Sequence, residues 1–120
     1  MKKSTCFATV IFNENITYFN DFLISLEEQS DKHFDLLIFN DGVQNLNQIT
    51  KSFKGTFHII DLPKNLSISE NRTFLLNFLK KSDYKYCIFG DSDDYSPKNR
   101  VEINLKYLKI FRILFQIWIG

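Results

Sequence analysis

Glycine and proline are scarce, four and two among 120 residues, which excludes a collagen and a low-complexity linker. A disordered polymer is excluded as well, because 44% of the chain is hydrophobic and 16% aromatic, enough apolar surface to drive collapse. The two cysteines, Cys6 and Cys87, are too few for a disulfide-built secreted scaffold. Both sit inside apolar runs and read as buried thiols in a reducing cytosol. An excess of charge is missing too: fifteen Lys and Arg against fourteen Asp and Glu leave +1. No overall field draws the chain onto nucleic acid, so any anionic ligand has to be held locally.

Long hydrophobic runs are also absent. The most apolar stretch, Ile110 to Ile119, is interrupted by Arg112 and Gln116 and is about half of the ~20 residues needed to cross a bilayer. That excludes a transmembrane helix and leaves open contact of this tail with a membrane surface or another protein. Met1 to Thr5 carries the charge of a signal peptide, but the apolar run behind it breaks at Asn13-Glu14 and has no small-residue cleavage site. A cytoplasmic protein is expected, with at most peripheral membrane association. Neither type of glycine-rich phosphate loop occurs, and no Ser, Cys or Thr nucleophile motif stands out. His33 and His58 lack the partner spacing of a metal or catalytic site.

What is present is a rhythm. Thr5 to Phe12, Phe34 to Phe39, Phe57 to Ile60 and Tyr86 to Phe89 are short apolar runs rich in aromatic and β-branched residues, and they read as four strands. Between them, apolar residues at helical spacing mark a helix from Ile16 to about Leu26, a brief one around Leu46, Ile49 and Phe53, and one carrying Phe74, Leu75, Phe78 and Leu79. Ser69 and Asn71 are candidate caps of that third helix. A fourth follows Pro97 with Val101, Ile103, Leu105 and Leu108. Strands alternating with helices predict one α/β domain, a mainly parallel Rossmann-like sheet with helices on both faces. At this length about 65% of the unfolded chain's surface is buried on folding.

In such sheets ligands bind beyond the carboxyl ends of the strands, where Asn13-Glu14, Asn40-Asp41 and Asp91 to Asp94 all fall. The sharpest cluster is Asp91-Ser92-Asp93-Asp94. Three carboxylates in four residues repel one another unless a cation balances them, and hard oxygen donors favour magnesium, manganese or calcium over zinc. The plainer alternative is that Asp93 or Asp94 caps the helix near Pro97 and the rest are solvated. A calcium loop is a third reading, since Asp91, Asp93, Asn99 and Glu102 match its spacing, but Ser96 stands where that loop needs glycine. Asp41 by itself is equally an ordinary turn residue, and Arg72 reaches either a surface carboxylate or a ligand.

Taken in order, these pieces resemble the nucleotide-sugar half of family 2 glycosyltransferases, which have the GT-A fold. The resemblance rests on strand one with Asn13-Glu14, on FNDFLISLEEQS with its Ser-Leu pair and Gln, on FDLLIFNDG, on ENRTFLLNFL and on YCIFGDSDDYSPKNR. It departs from the family at Val10-Ile11 and at the missing glycine around Leu66 to Ser69. It implies that Asp41 and Arg72 meet the nucleotide base, that Asp91 meets the ribose, and that Asp93 of the DXD motif is the ligand of a Mg2+ or Mn2+ ion on the diphosphate, with Asp94 as neighbour and cap. The donor it implies is a nucleotide-diphosphate sugar, UDP-type by expectation, and the acceptor an unidentified saccharide or lipid. The family's general base belongs to an acceptor half beyond this length, so no catalytic base is assigned. Residues 1–109 are expected to form the nucleotide-sugar-binding domain and 110–120 an apolar tail, as in a truncated or frameshifted product. The alternative function is a non-catalytic remnant or binding module with the same fold.

Overall fold

The computed structural model describes the backbone of residues 2–119 and the side chains of residues 2–110. Four strands, β1 (Thr5–Phe12), β2 (Asp35–Asp41), β3 (Phe57–Asp61) and β4 (Tyr86–Phe89), alternate with four helices, α1 (Ile16–Glu27), α2 (Leu46–Thr50), α3 (Ile68–Lys81) and α4 (Arg100–Ile119). A 3-10 turn at Asn13–Asn15 joins β1 to α1. The strands form one sheet in the order β3-β2-β1-β4, and every pairing is parallel. The expected α/β architecture is therefore the observed one.

Burial explains why the strands read as continuous apolar runs. On one face Phe7, Ile11, Leu36, Ile38 and Ile88 pack against Phe19, Phe22, Leu23 and Leu26 of α1, Leu46 of α2, and Val101 and Leu105 of α4. On the other, Cys6, Ala8, Leu37 and Phe39 pack against Leu75 of α3, with Phe74 and Leu79 alongside. A strand covered on both faces has no solvent side to mark with polar residues. Phenylalanines dominate: Phe7 meets Phe22 edge-on at 5.9 Å, Phe19 stacks on Phe22 at 5.7 Å, and Phe39 meets Phe78 edge-on at 5.5 Å. Each fully buried ring contributes on the order of 2–3 kcal/mol by leaving water.

The strand order creates the crevice. From β1 the chain winds outward through α1, β2, α2 and β3, then returns across the opposite face through α3 to place β4 on the far side of β1. The winding reverses between β1 and β4, and the crevice between their carboxyl ends is where this class of fold binds ligands.

Several local expectations need correction. The cap of α3 is Ser67 rather than Ser69 or Asn71: its hydroxyl accepts from the Glu70 N–H at 3.2 Å, and the Glu70 carboxylate accepts from the Ser67 N–H at 3.1 Å. The reciprocal pair satisfies two backbone donors at once, which a cap one turn later could not. Asp93 and Asp94 do not cap α4 either, since its first helical residue is Arg100 and the Ile103 N–H donates to the Asn99 carbonyl at 2.9 Å. Strand β2 runs on through Asn40 and Asp41 because Asn40 stays in register with both Ile11 and Asp61. Phe53 lies beyond α2 but is buried. Cys6 is buried as expected, whereas Cys87 is only half-buried, because β4 is an edge strand.

Helix α4 continues through the apolar tail to Ile119, so its backbone crosses the expected boundary at 109/110. The tail's side chains from 111 onward lie outside the described residues. Among the described residues no helix is long and apolar enough to cross a membrane.

Candidate functional site

Each polar cluster reaches the crevice by a local device. At the end of β2, the Asn40 side chain folds the turn, accepting from the Val43 N–H at 2.9 Å and donating to the Val43 carbonyl at 3.0 Å. Gly42 supplies the positive φ of +79° that this turn requires. Asn40 thus does the structural work of the Asn-Asp-Gly turn and leaves Asp41 exposed and directed to the crevice. There the Asn71 amide of α3 donates to Asp41 Oδ2 at 3.3 Å. The carboxylate fixes the amide's orientation, and Asn71 Oδ1 is left buried without a partner. One residue on, Arg72 lines the same crevice and forms no ion pair among the described residues.

The acidic segment leaves β4 through Gly90, whose N–H donates to the Ala8 carbonyl at 3.1 Å. A Cβ at Gly90 would stand 2.6 Å from the Phe7 ring and 3.2 Å from an Arg100 guanidinium nitrogen, so any side chain there would force the ring to shift. Asp91 to Asp94 then form a turn closed by the Asp94 N–H on the Asp91 carbonyl at 3.1 Å. Ser92 points inward, buried, and accepts from the Asn15 amide at 3.1 Å, which ties this loop to the end of β1. The outward residues Asp91, Asp93 and Asp94 are exposed and can bring one oxygen each within 4.8 Å of the others.

The far side of the loop is clamped by α1 and the turn that follows it. The Ser96 N–H donates to Ser25 Oγ at 3.0 Å, Gln29 Nε2 donates to the Pro97 carbonyl at 2.7 Å, and Gln29 Oε1 accepts from the Val101 N–H at 3.0 Å. Arg100 closes the ring, donating to the Phe89 carbonyl at 2.5 Å and to Ser96 Oγ at 3.3 Å, with its guanidinium 5.3 Å from the centre of the Phe7 ring. The loop is thus held by the chain's own hydrogen bonds, a device that favours preorganised binding.

The crevice these elements enclose measures about 860 Å3 and is lined by Asp41, Asn71 and Arg72 on the β2/α3 side and by Asp91, Asp93, Asp94 and Arg100 on the β4/α4 side. All four residues singled out by sequence, Asp41, Arg72, Asp91 and Asp93, line it. Sequence reasoning gave Asn15, Asn71 and Ser92 no role in the site, although Asn71 stands beside Arg72 and Ser92 between Asp91 and Asp93. For Ser25 and Gln29 a signal existed, since both belong to the helix-one pattern, but their role in holding the loop did not. Asn13 is not in the lining, and the calcium-loop reading loses Glu102, which sits in α4 outside the carboxylate group.

Residues 6–112 match the family described as Glycosyl transferase family 2. No curated protein matches the chain. Among solved structures, the fold is similar to S. aureus TarS with a TM-score of 0.67 and 22% identity, over 91% of this chain and 20% of that one. It is likewise similar to S. aureus TarS 1-349, with a TM-score of 0.68 and 23% identity over 91% of this chain and 32% of that one. At such identity the likeness concerns the fold, and this chain spans between a fifth and a third of those proteins' length.

Proposed function

The chain belongs to glycosyl transferase family 2, and on that premise we propose that its crevice binds a nucleotide-diphosphate sugar of the UDP type, as donor for inverting transfer to a saccharide or lipid acceptor. The observation that carries this reading is the facing of two unlike polar groups across one crevice: Asp41 with Arg72 on one wall, three clustered carboxylates on the other.

Each group has a chemical counterpart in the donor. The Asp41 carboxylate accepts hydrogen bonds, and uracil presents an imide N–H; the Asn71 amide holds that carboxylate in place. Arg72 offers a planar cation to the base or to phosphate oxygens, and Phe12, Ile68 and Leu76 leave apolar surface in the same wall for a flat ring. Asp91 accepts from ribose hydroxyls.

Asp93, flanked by Asp91 and Asp94, fits a hard divalent cation, Mg2+ or Mn2+: the donors are all carboxylate oxygens, exposed and mutually close. Bound there, such an ion supplies positive charge where breaking the sugar–phosphate bond leaves negative charge. The chain's own part is to keep these carboxylates in position through Asn15, Ser25, Gln29 and Arg100.

Calorimetric titration of UDP into the purified chain, with and without manganese, tests the reading. Binding is expected with manganese and is expected to vanish without it and in Asp93→Asn. Binding that ignores manganese, or none to the folded chain, overturns it. Release of UDP from a UDP-sugar separates a transferring chain from one that only binds.

A further inference from the structure

Cys6 and Cys87 lie outside the crevice, and nothing in the proposed reaction uses them. They are Cα partners in the β1–β4 pairing, directly across from one another in neighbouring parallel strands. Adjacent strands run about 4.8 Å apart, inside the roughly 4.4–6.8 Å that a disulfide spans between Cα atoms. Both side chains belong to the same face of the sheet, packed in the cluster beneath α3. Cys6 is fully buried, whereas Cys87 is only half-buried on β4, the edge strand of the sheet. Cys87 is therefore the more accessible residue of the pair.

From this juxtaposition we propose that Cys6 and Cys87 form an oxidation site at which hydrogen peroxide reaching the β4 edge is reduced and a cross-strand disulfide is left behind. The sulfur of Cys87 attacks a peroxide oxygen; the O–O bond breaks, one water departs with the thiol proton, and Cys87 becomes a sulfenic acid. The sulfur of Cys6 then attacks that sulfur; the S–O bond breaks, the S–S bond forms, and a second water leaves with the Cys6 proton. Two thiols are oxidised and one peroxide is reduced, with no further reactant. The assignment of roles follows from access, and the titration of the pair agrees with it. Interaction with the Cys87 thiol and then burial push the Cys6 thiol up, and the same interaction lowers Cys87. The thiolate is the nucleophile, and of the two thiols Cys87 is the readier to supply it. A neighbouring thiol that resolves the sulfenic acid halts oxidation at a reversible stage.

The experiment is hydrogen peroxide treatment of the reduced chain, followed by intact mass and peptide mapping under dilute, non-reducing conditions. The expected result is a monomer that has lost two hydrogens and both free thiols, with a Cys6–Cys87 cross-linked peptide, and recovery by dithiothreitol. In Cys6→Ala, whose fold is checked by circular dichroism, Cys87 is expected to gain oxygen and react with dimedone. In Cys87→Ala, Cys6 is expected to react at least about tenfold more slowly. Oxygen adducts without a cross-link in the wild-type chain, an intermolecular disulfide, or equal reactivity of Cys6 without Cys87 would each overturn the proposal. The wild-type arm needs no substitution, so a variant that fails to fold leaves the proposal testable.

Discussion

Gln29, two residues beyond the end of α1, satisfies the backbone N–H of Val101 in the first turn of α4 through its Oε1 at 3.0 Å while its Nε2 donates to the Pro97 carbonyl at 2.7 Å and the Ser25 carbonyl at 3.1 Å. The side chain is only 1% exposed, so no water can stand in for it.

Replacing Gln29 by leucine keeps the volume and removes these partners. Unsatisfied buried backbone groups cost about 1–3 kcal/mol each, so Gln29→Leu is expected to lower unfolding stability by about 2–4 kcal/mol. Urea denaturation measures it, and the same variant should weaken manganese-dependent UDP binding through the loosened acidic loop. Unchanged stability would mean the clamp is dispensable.

Gly90 is the second point of tension. Because a Cβ there meets the Phe7 ring at 2.6 Å, Gly90→Ala is expected to destabilise by about 1–3 kcal/mol through overpacking. Shortening the ring should relieve it: Gly90→Ala combined with Phe7→Leu is expected to be less destabilised than the sum of the two single changes, a coupling that a double-mutant cycle reads directly.

At the opposite end of the sheet, the fully buried Asp35 accepts from the Tyr84 hydroxyl at 2.8 Å and the Lys3 N–H at 3.2 Å, with the Lys3 ammonium 3.7 Å away. Burial first, and the Asp35 bond second, raise the Tyr84 phenol above its ordinary 10.0. A group whose pKa is raised by folding stabilises the fold fully below its unfolded value and loses that contribution as pH rises toward the folded one. Stability should therefore fall above pH 10.0, and Tyr84→Phe should flatten that fall while costing about 1–3 kcal/mol at neutral pH. Thermal melts across the alkaline range decide it.

The Ser67–Glu70 capping box predicts a change of the opposite sign. Hydrogen bonds from the Ser67 backbone and side chain hold the Glu70 carboxyl below its ordinary 4.5. Its contribution to α3 is present above that value and lost as pH falls through the lower, folded one. Ser67→Ala should cost about 1 kcal/mol and make the acid limb of the stability curve shallower. An acid limb identical to wild type would remove Glu70 from the account.

The order of strands and helices, the burial of the strands on both faces, and the carboxylates at the ends of β2 and β4 were all legible in the sequence. Each is written in a periodicity or a turn signal only a few residues long. Asp41, Arg72, Asp91 and Asp93 could be singled out for that reason, as polar residues where an apolar run stops.

What joins distant segments was decided by the tertiary structure. Strand order β3-β2-β1-β4 puts Asp41 and Asp93 on facing walls of one crevice, and no local preference encodes which strand is neighbour to which. Ser25 and Gln29 look like any polar residues of an amphipathic helix until packing brings Ser96, Pro97 and Val101 within hydrogen-bond reach. Asn71 resembled a cap until Asp41 came to meet its amide. Cys87 read as buried because its apolar neighbours are; it is only half-buried because β4 ends the sheet. Residue chemistry is fixed along the chain, but a side chain's partner and exposure follow from which surfaces the fold brings together.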